Sequence, residues 1–570
     1  MGNFITKTIN SELNDKPTKK EQFKLDELSR KEIIEYIQAI KIQRLAINPD
    51  LAEGLKQIDL TNSKLIPMSL ELYQKIDKDL PRIVAARKKF KKEPIGFDPL
   101  QVLNVSDTFV NTKENYDKLN DLCNIVINKP GVLELITLDM FKTIIKDPTP
   151  STDMLGLSKK IVRYLSDYLK QRFINGFNEA LNDPSSLDFN FGRATYIYKK
   201  GDKTEINNYR RIISIPVIIN LFHRALMLNC DKHLKDNNLI NTTIQKAGIS
   251  GQKNPILQQV IKIKEIIRDV NTSGNKAALM FLDIKDAFGS LDREALLMIL
   301  TKYGFDQKFV KYVKNYYDGF SFCTTIENKR INNVKWSNGL IQGCSLSPLL
   351  FVTALNYIIN NFDETHTSLH GYNFKGTQIS LCAYMDDLVL ICKNVESLEI
   401  CYRRIIELLG LLGMKLNTQK TIMILPGYTV EEKTNIKLDN IAILDKFTYL
   451  GCVITSDSNV DNIFSEQYNQ INDWLMNLDV KKPNNDSKIS DFTEFVLPEI
   501  RRRTLKLYDL SYNNKVKLIS LVKRYLTKWG FKDDIQIFPS LEKSLSGSET
   551  GDVILDKIDV KEIDKNNSNI

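Results

Sequence analysis

Ala383-Tyr384-Met385-Asp386-Asp387-Leu388 stands between two short apolar runs, residues 379–382 and 388–392. Apolar flanks around an acidic tip predict a β-hairpin carrying both carboxylates at its turn. Adjacent strand residues point to opposite faces, so Asp386 and Asp387 do not share one role. Acids raised into a cleft by otherwise buried strands are costly unless a cation neutralises them. Hard dications such as Mg2+ take oxygen ligands and keep waters for substrate phosphates. A surface hairpin with an acidic turn would read the same over so few residues. What stands elsewhere in the chain decides between them.

Upstream, Ala277-Ala278-Leu279-Met280-Phe281-Leu282 is a continuous apolar run, as expected of a central buried strand. It ends at Asp283, where active sites of open sheets gather, and runs on through Ile284-Lys285-Asp286-Ala287-Phe288. Asp292 is a good N-cap for a helix with Leu296, Ile299, Leu300 and Tyr303 on one face, stopped near Gly304. Two strands follow, around 323–326 and 334–336. Then comes Gly339-Leu340-Ile341-Gln342-Gly343-Cys344-Ser345-Leu346-Ser347-Pro348. Gly343 permits close backbone approach to a ligand, and Ser347-Pro348 opens a helix to about residue 360. Past the acidic hairpin, Leu398, Cys401, Ile405, Leu408 and Leu412 mark an amphipathic helix ended by Gly413. The stretch 414–421 leads into another strand.

Further upstream, residues 146–153 are turn chemistry, followed by a helix from about 158 to 181. Thr195-Tyr196-Ile197-Tyr198 is a strand running into the basic turn Lys199-Lys200-Gly201-Asp202-Lys203, and Asn208-Tyr209-Arg210-Arg211 follows. Lysines and arginines just beyond strand ends suit polyphosphate oxygens, although an ordinary charged hairpin has the same composition. A helix over about 217–234 places Leu221, Ala225 and Leu228 on one face. In the N-terminal 135 residues, Ile33, Ile34, Ile37 and Ile40 recur at helical spacing. Arg87, Lys88, Lys89, Lys91 and Lys92 surround Phe90 in a run from 82 to 92, either a solvated face or a nucleic-acid contact.

The chain of 570 residues has room for roughly three or four domain-sized units. Its net charge of +9 is compatible with a phosphate-rich partner without requiring one. Eight cysteines without a CxxC pair, and only four histidines, spell out neither a zinc knuckle nor a disulfide framework. The cysteines read as reduced thiols of an intracellular protein, with nucleus or cytoplasm left open. No signal peptide is visible, and no apolar run reaches the ~18 residues of a membrane span, so stable membrane insertion is not expected. Met1-Gly2-Asn3-Phe4-Ile5-Thr6 fits the myristoylation pattern, which chance also produces.

In this order the motifs resemble those of reverse transcriptases of non-LTR (LINE-type) retrotransposons, over about residues 136–535. Phe281-Leu282-Asp283-Ile284-Lys285-Asp286-Ala287-Phe288 looks like that family's first catalytic motif. Gln342-Gly343-Cys344-Ser345-Leu346-Ser347-Pro348 is similar to its second, and Tyr384-Met385-Asp386-Asp387 to its third. Residues 413–421 resemble the fourth, and Phe447-Thr448-Tyr449-Leu450-Gly451-Cys452 the primer-grip hairpin. Four to five motifs in one order leave coincidence negligible.

The resemblance implies an α+β right-hand polymerase with a helical N-terminal extension. It assigns residues 1–135 to the extension, 136–275 to fingers, 276–455 to a palm with an antiparallel sheet and 456–535 to a helical thumb. A disordered tail, 536–570, is expected from composition. Residues 481–490 read as a linker. A thumb helix runs from Ser511 to Gly530, with Leu518, Val522, Tyr525 and Trp529 on one face and Lys515, Lys517, Lys523 and Arg524 on the other. The implied activity is RNA-directed DNA polymerisation, a nucleotidyl transfer onto a primer 3′-OH. Asp283, Asp386 and Asp387 would be catalytic and hold two Mg2+ ions, with Mn2+ as a substitute. Lys199, Lys200, Arg210, Phe288, Gln342, Gly343 and Lys420 would meet the nucleotide, and Tyr449, Leu450 and Gly451 the primer. The partners would be an RNA template, a DNA or RNA primer and dNTPs.

Two positions depart from the family pattern. Arg211 stands where proline usually follows the arginine, and Gly289 where an aspartate is common. No histidine precedes residue 223, so no apurinic-type endonuclease is legible upstream, and no Cys/His finger, restriction-like nuclease or RNase H domain is legible downstream. The chain is then a fragment, a domesticated copy, or an enzyme using nicks made by an endonuclease in trans. An RNA-dependent RNA polymerase, a group II intron-type maturase and a catalytically silent RNA-binding scaffold are the competing readings. The three aspartates argue against the scaffold, and Gln-Gly-Cys mildly against the maturase.

Overall fold

The computed structural model describes residues 102, 111–122, 127, 129–145, 153, 159–164, 167–183, 190–252, 255–326, 329–458 and 464–479, with 513, 514, 516, 517, 520, 521, 524 and 525. Outside them lie Gly2, the helical pattern at 33–40, the basic run 82–92, the turn at 146–152, the linker 481–490, the tail 536–570 and most of the expected thumb helix. Described strands, in chain order, are β1 Phe191–Tyr198, β2 Tyr209–Ser214, β3 Ala278–Leu282, β4 Ser321–Ile326, β5 Lys329–Lys335, β6 Tyr372–Phe374 and β7 Thr377–Ile379. They continue with β8 Leu381–Tyr384, β9 Asp387–Cys392, β10 Ile422–Ile424, β11 Ala442–Ile443, β12 Lys446–Tyr449 and β13 Cys452–Thr455. The fold is mixed α and β, with sheets that are mostly antiparallel.

The chain divides into two compact units. One takes the residues up to Asn241 with Asp286–Ile358 and Leu409–Met414; the other takes Thr242–Lys285, Ile359–Leu408 and Lys415 onward. This division differs from the expected boundary near 275. In the first unit the sheet order is β2-β1-β4-β5, with β1 antiparallel to β2 and parallel to β4, so residues 321–335 join the segment around 191–214.

Helix Val217–Asp236 is buried along most of its length, through Leu221, Phe222, Ala225 and Leu226 at 0% exposure. Leu228 is only partly buried, although its spacing put it with Leu221 and Ala225. A helix surrounded on several sides carries no single stripe to reveal its inner face. Helix Arg293–Lys302 starts where expected, Asp292 accepting from the Ala295 amide. The helix expected over 158–181 is described as Lys159–Tyr164 and Asp167–Asn182. Residues 111–121 also belong here: Thr112 caps helix Lys113–Asp121, and Tyr357 donates to the Leu119 carbonyl at 3.0 Å.

The second unit is built on a five-stranded sheet, β11-β10-β3-β9-β8. All five residues of central β3 are buried, which explains why its sequence is apolar without alternation. Helix Pro255–Ser273, which the sequence reading passed over, joins Val260, Ile263, Ile266, Ile267 and Val270 to Leu279, Phe281, Val389, Ile391 and Ile424 in one core. The β12–β13 hairpin enters that core through Tyr449 and Ile454. Tyr525, the described part of the expected apolar thumb face, is buried and its hydroxyl donates to Asn472 Oδ1 at 3.3 Å.

Candidate active site

β3 ends one residue before Asp283. Leu282 pairs with Leu388 in β9, so the register continues from Asp283 toward Asp387 at the sheet's end. The chain leaving β3 is held on its other side. The Asp283 amide donates to Thr421 Oγ1 at 3.3 Å, and its carbonyl accepts from the Asn417 amide at 2.7 Å. A bridge between Ile284 and Leu416 and a bond from Lys285 N to the Lys415 carbonyl at 2.9 Å continue that seam. Residues 413–421 therefore position the first aspartate, a role their sequence did not reveal.

Tyr384 and Asp387 close the β8–β9 hairpin, leaving Met385 and Asp386 as its two turn residues. This corrects the expectation that both acids sit at the turn: Asp386 does, whereas Asp387 already begins β9. Met385 has φ +53°, in the left-handed region that two-residue hairpin turns of the tightest kind require. Asp386 is half-buried, and Asp387 is exposed as a residue while its carboxyl is partly withdrawn from water.

Partial burial, then the charges of Asp386 and Asp283, push the Asp387 carboxyl up to about 6. Asp387 thus lies within electrostatic reach of both Asp386 and Asp283, a condition under which a hard cation is favoured. Among the described residues no three His, Cys, Asp or Glu side chains are closed into a chelate. The donor set, all carboxylate oxygen on rigid strand ends, fits a divalent ion of the Mg2+ kind. Lys420 Nζ stands 3.7 Å from Asp283 Oδ2 with half its side chain exposed.

Lys199, Lys200, Arg210, Phe288, Gln342 and Gly343 belong to the other unit. Lys199 and Lys200 are exposed in the turn after β1, where Tyr198 donates to the Gly201 carbonyl at 2.6 Å. Arg210 is exposed opposite Ile197, while neighbouring Arg211 is half-buried with its guanidinium 4.3 Å from the Trp336 ring centre. That stack accounts for arginine where the family usually has proline. Gly343 also has a close backbone neighbour within the fold. Its φ is +122°, and a Cβ there would lie 2.2 Å from the Ile213 carbonyl oxygen. The close approach is to β2, reinforced by the Ile213 amide donating to the Gln342 carbonyl at 2.8 Å.

Phe288 is half-buried and stacks on Phe351, ring centres 4.6 Å apart, and its carbonyl accepts from Leu340 N at 2.6 Å. Gly289 is accounted for by Asp286, whose carboxylate occupies the space a Cβ would need. Sequence reasoning missed His223, which is buried, held neutral by burial with its pKa near 3, and bonded to Cys344 Sγ at 2.9 Å and the Tyr312 hydroxyl at 2.7 Å. A histidine among mostly apolar residues in the first half of its helix was the available signal. In the β12–β13 hairpin, Leu450 and Gly451 form a left-handed turn at φ +47° and +75°. Tyr449, expected to meet the primer, is 3% exposed with its ring edge-on to Phe281, so it serves as core.

Residues 197–454 match the family described as reverse transcriptase (RNA-dependent DNA polymerase). The chain is 23% identical over 316 residues to the Pol polyprotein of the type-2 retrotransposable element R2DM of Drosophila melanogaster, covering 54% of this chain and 29% of that protein. It is 24% identical over 270 residues to the transposon TX1 149 kDa protein of Xenopus laevis, covering 46% and 20%. With the R2 Pol polyprotein of Popillia japonica it shares 21% over 331 residues, covering 54% and 43%. The chain thus spans less than half the length of these curated relatives. A solved structure of apo telomerase from Candida tropicalis is similar at 12% identity and a TM-score of 0.35, over 62% of this chain and 68% of that one. That likeness is too loose to carry the fold. Over residues 197–454 the chain is thus similar to reverse transcriptases, and the relatives it matches include Pol polyproteins of R2 retrotransposable elements.

Proposed function

We propose that this chain is an RNA-directed DNA polymerase that adds deoxynucleotides to a primer 3′-OH on an RNA template. The observation supporting it most is the electrostatic trio of Asp283, Asp386 and Asp387 at one sheet end, inside the stretch that matches the family. Enzymes of this family generally use divalent metal ions. Here two Mg2+ ions, with Mn2+ as a substitute, would be held by Asp283 and Asp386 with Asp387 in support. Bound there, they would lower the pKa of the attacking hydroxyl and neutralise charge on the transferred phosphoryl group.

The chain's own groups do the rest. Lys420, on a flexible half-exposed stem, keeps a cation beside Asp283 and turns to triphosphate oxygens. In the other unit, Arg210 presents a planar fork suited to triphosphate oxygens, and Lys199 and Lys200 add mobile charges. The Gln342–Gly343 loop supports the template–nucleotide pair, Phe288 lies against the sugar, and the turn at Leu450 and Gly451 meets the primer. Residues 136–275, 276–455 and 456–535 serve as fingers, palm and thumb.

Extension of a DNA or RNA primer on an RNA template, with each nucleotide set, tests this. Deoxynucleotide addition is expected. Asp386→Asn should slow it by on the order of 10³-fold, equivalent to about 4 kcal/mol, while circular dichroism and melting stay near wild type. Near-normal extension by that folded variant would reject the assignment. Equal use of ribonucleotides by the wild type would favour an RNA polymerase.

A further inference from the structure

We propose that Gln245 is the positioning residue of the catalytic turn, a role that rests on the polymerase reading above. Residues 244–247 run beside β8. Ala383 N donates to the Ile244 carbonyl and Lys246 N to the Ala383 carbonyl, both at 3.0 Å, around a parallel bridge between Gln245 and Ala383. This short segment covers the edge of the hairpin that carries Asp386. The Gln245 side chain is fully buried and grips the turn itself. Its Oε1 accepts from the Met385 amide at 3.0 Å and from the Ala247 amide at 3.0 Å. Its Nε2 donates to the Met385 carbonyl at 3.3 Å.

Met385 is the strained residue of the turn, and a non-glycine residue stays left-handed only where its surroundings over-determine it. A primary amide offers an acceptor and a donor side by side, so Gln245 satisfies both backbone polar groups of Met385 as a strand partner would. Glutamate lacks the donor, and methionine lacks both. Gln259, also fully buried, braces the same seam from helix Pro255–Ser273. Its Nε2 donates to the Ile244 carbonyl at 2.6 Å and the Ala383 carbonyl at 2.8 Å. Asp386 follows Met385 directly, so the clamp fixes the peptide from which that carboxylate projects. Released, the turn relaxes and the carboxylate moves off the geometry the chemistry needs.

Gln245→Met keeps volume and removes all three side-chain bonds, two with Met385 and one with the Ala247 amide. In primer extension, kcat per folded molecule should fall about 10²-fold, the usual consequence of an ångström-scale misplacement. The KM for nucleotide should change little, because the clamp acts on the chemical step. Hydrogen exchange of the Met385 amide should accelerate, with melting and the exchange of β3 unchanged. Wild-type kcat, or a kcat loss without faster Met385 exchange, overturns the proposal. So does an activity loss that only tracks lost folded protein. Should Gln245→Met fail to fold, Gln245→Asn keeps the amide one methylene short of Met385, and a wild-type kcat in that variant likewise overturns it. An inactive wild type would sink the polymerase reading instead, leaving Met385 exchange in the two variants to judge the clamp.

Discussion

Partial burial, and then two neighbouring carboxylates, push the Asp387 carboxyl up to about 6 from its usual 3.8. Between those values the folded chain binds a proton that the unfolded chain has released. This group's stabilising contribution is therefore complete below about pH 4 and lost as pH rises through about 6. Without divalent cation, melting temperature should drop across that window in wild type and drop less in Asp387→Asn. A cation among the three carboxylates inverts the local field. Excess Mg2+ should then raise the wild-type melting temperature above about pH 6, and leave Asp283→Asn little changed. At Phe288 the question is steric. One face of its ring is committed to Phe351, and the ring remains partly exposed. Excluding an unpaired ribose hydroxyl is worth roughly 1–3 kcal/mol, so Phe288→Val should improve ribonucleotide use relative to deoxynucleotide about 10- to 100-fold. Loss of the stack costs about 1 kcal/mol, which a melt will show separately.

Along strand β2, two adjacent arginines have opposite tasks set by the period of the strand. Arg210 faces solvent opposite Ile197, and Arg211 turns inward over Trp336. Arg211→Lys should cost about 1–2 kcal/mol of stability through the lost cation–π contact. Arg210→Lys should leave the melt unchanged and raise the KM for nucleotide, because lysine cannot reproduce the fork. Equal effects of the two changes on both readouts would erase the distinction. Gly343→Ala must place a methyl 2.2 Å from the Ile213 oxygen at a φ of +122°. Unfolding in urea should show a loss of about 2–4 kcal/mol, with the loop parted from β2.

Across the molecule, the excess of 79 Lys and Arg over 70 Asp and Glu supports association with a polyanion. Binding to RNA should weaken linearly in log affinity against log salt, because phosphate contacts release counterions. Residues 111–121 are built into the first unit, so a truncation that tests the basic run at 82–92 should stop at residue 101. If that run touches phosphate, removing 1–101 lowers both RNA affinity and the salt slope. An unchanged slope would assign the run to plain surface.

Chemistry that depends on near neighbours in the chain was legible from the residues alone. Asp283 follows an unbroken apolar run because a strand covered on both faces needs no alternation. The acidic turn sits between apolar flanks because a hairpin must have them, and Asp292 announces a helix start by its own capping group. Contacts between distant segments left no such trace. That Gly343 makes room for the Ile213 carbonyl, that Tyr449 is core, and that Gln245 grips Met385 follow from pairing of segments more than a hundred residues apart. A glycine, tyrosine or glutamine looks the same in sequence whether it faces a ligand or a neighbouring strand. Sequence determined which groups could act and in what order they come. Only the tertiary structure decided which of them are held still, and by what, because burial and partner geometry are properties of the packed chain.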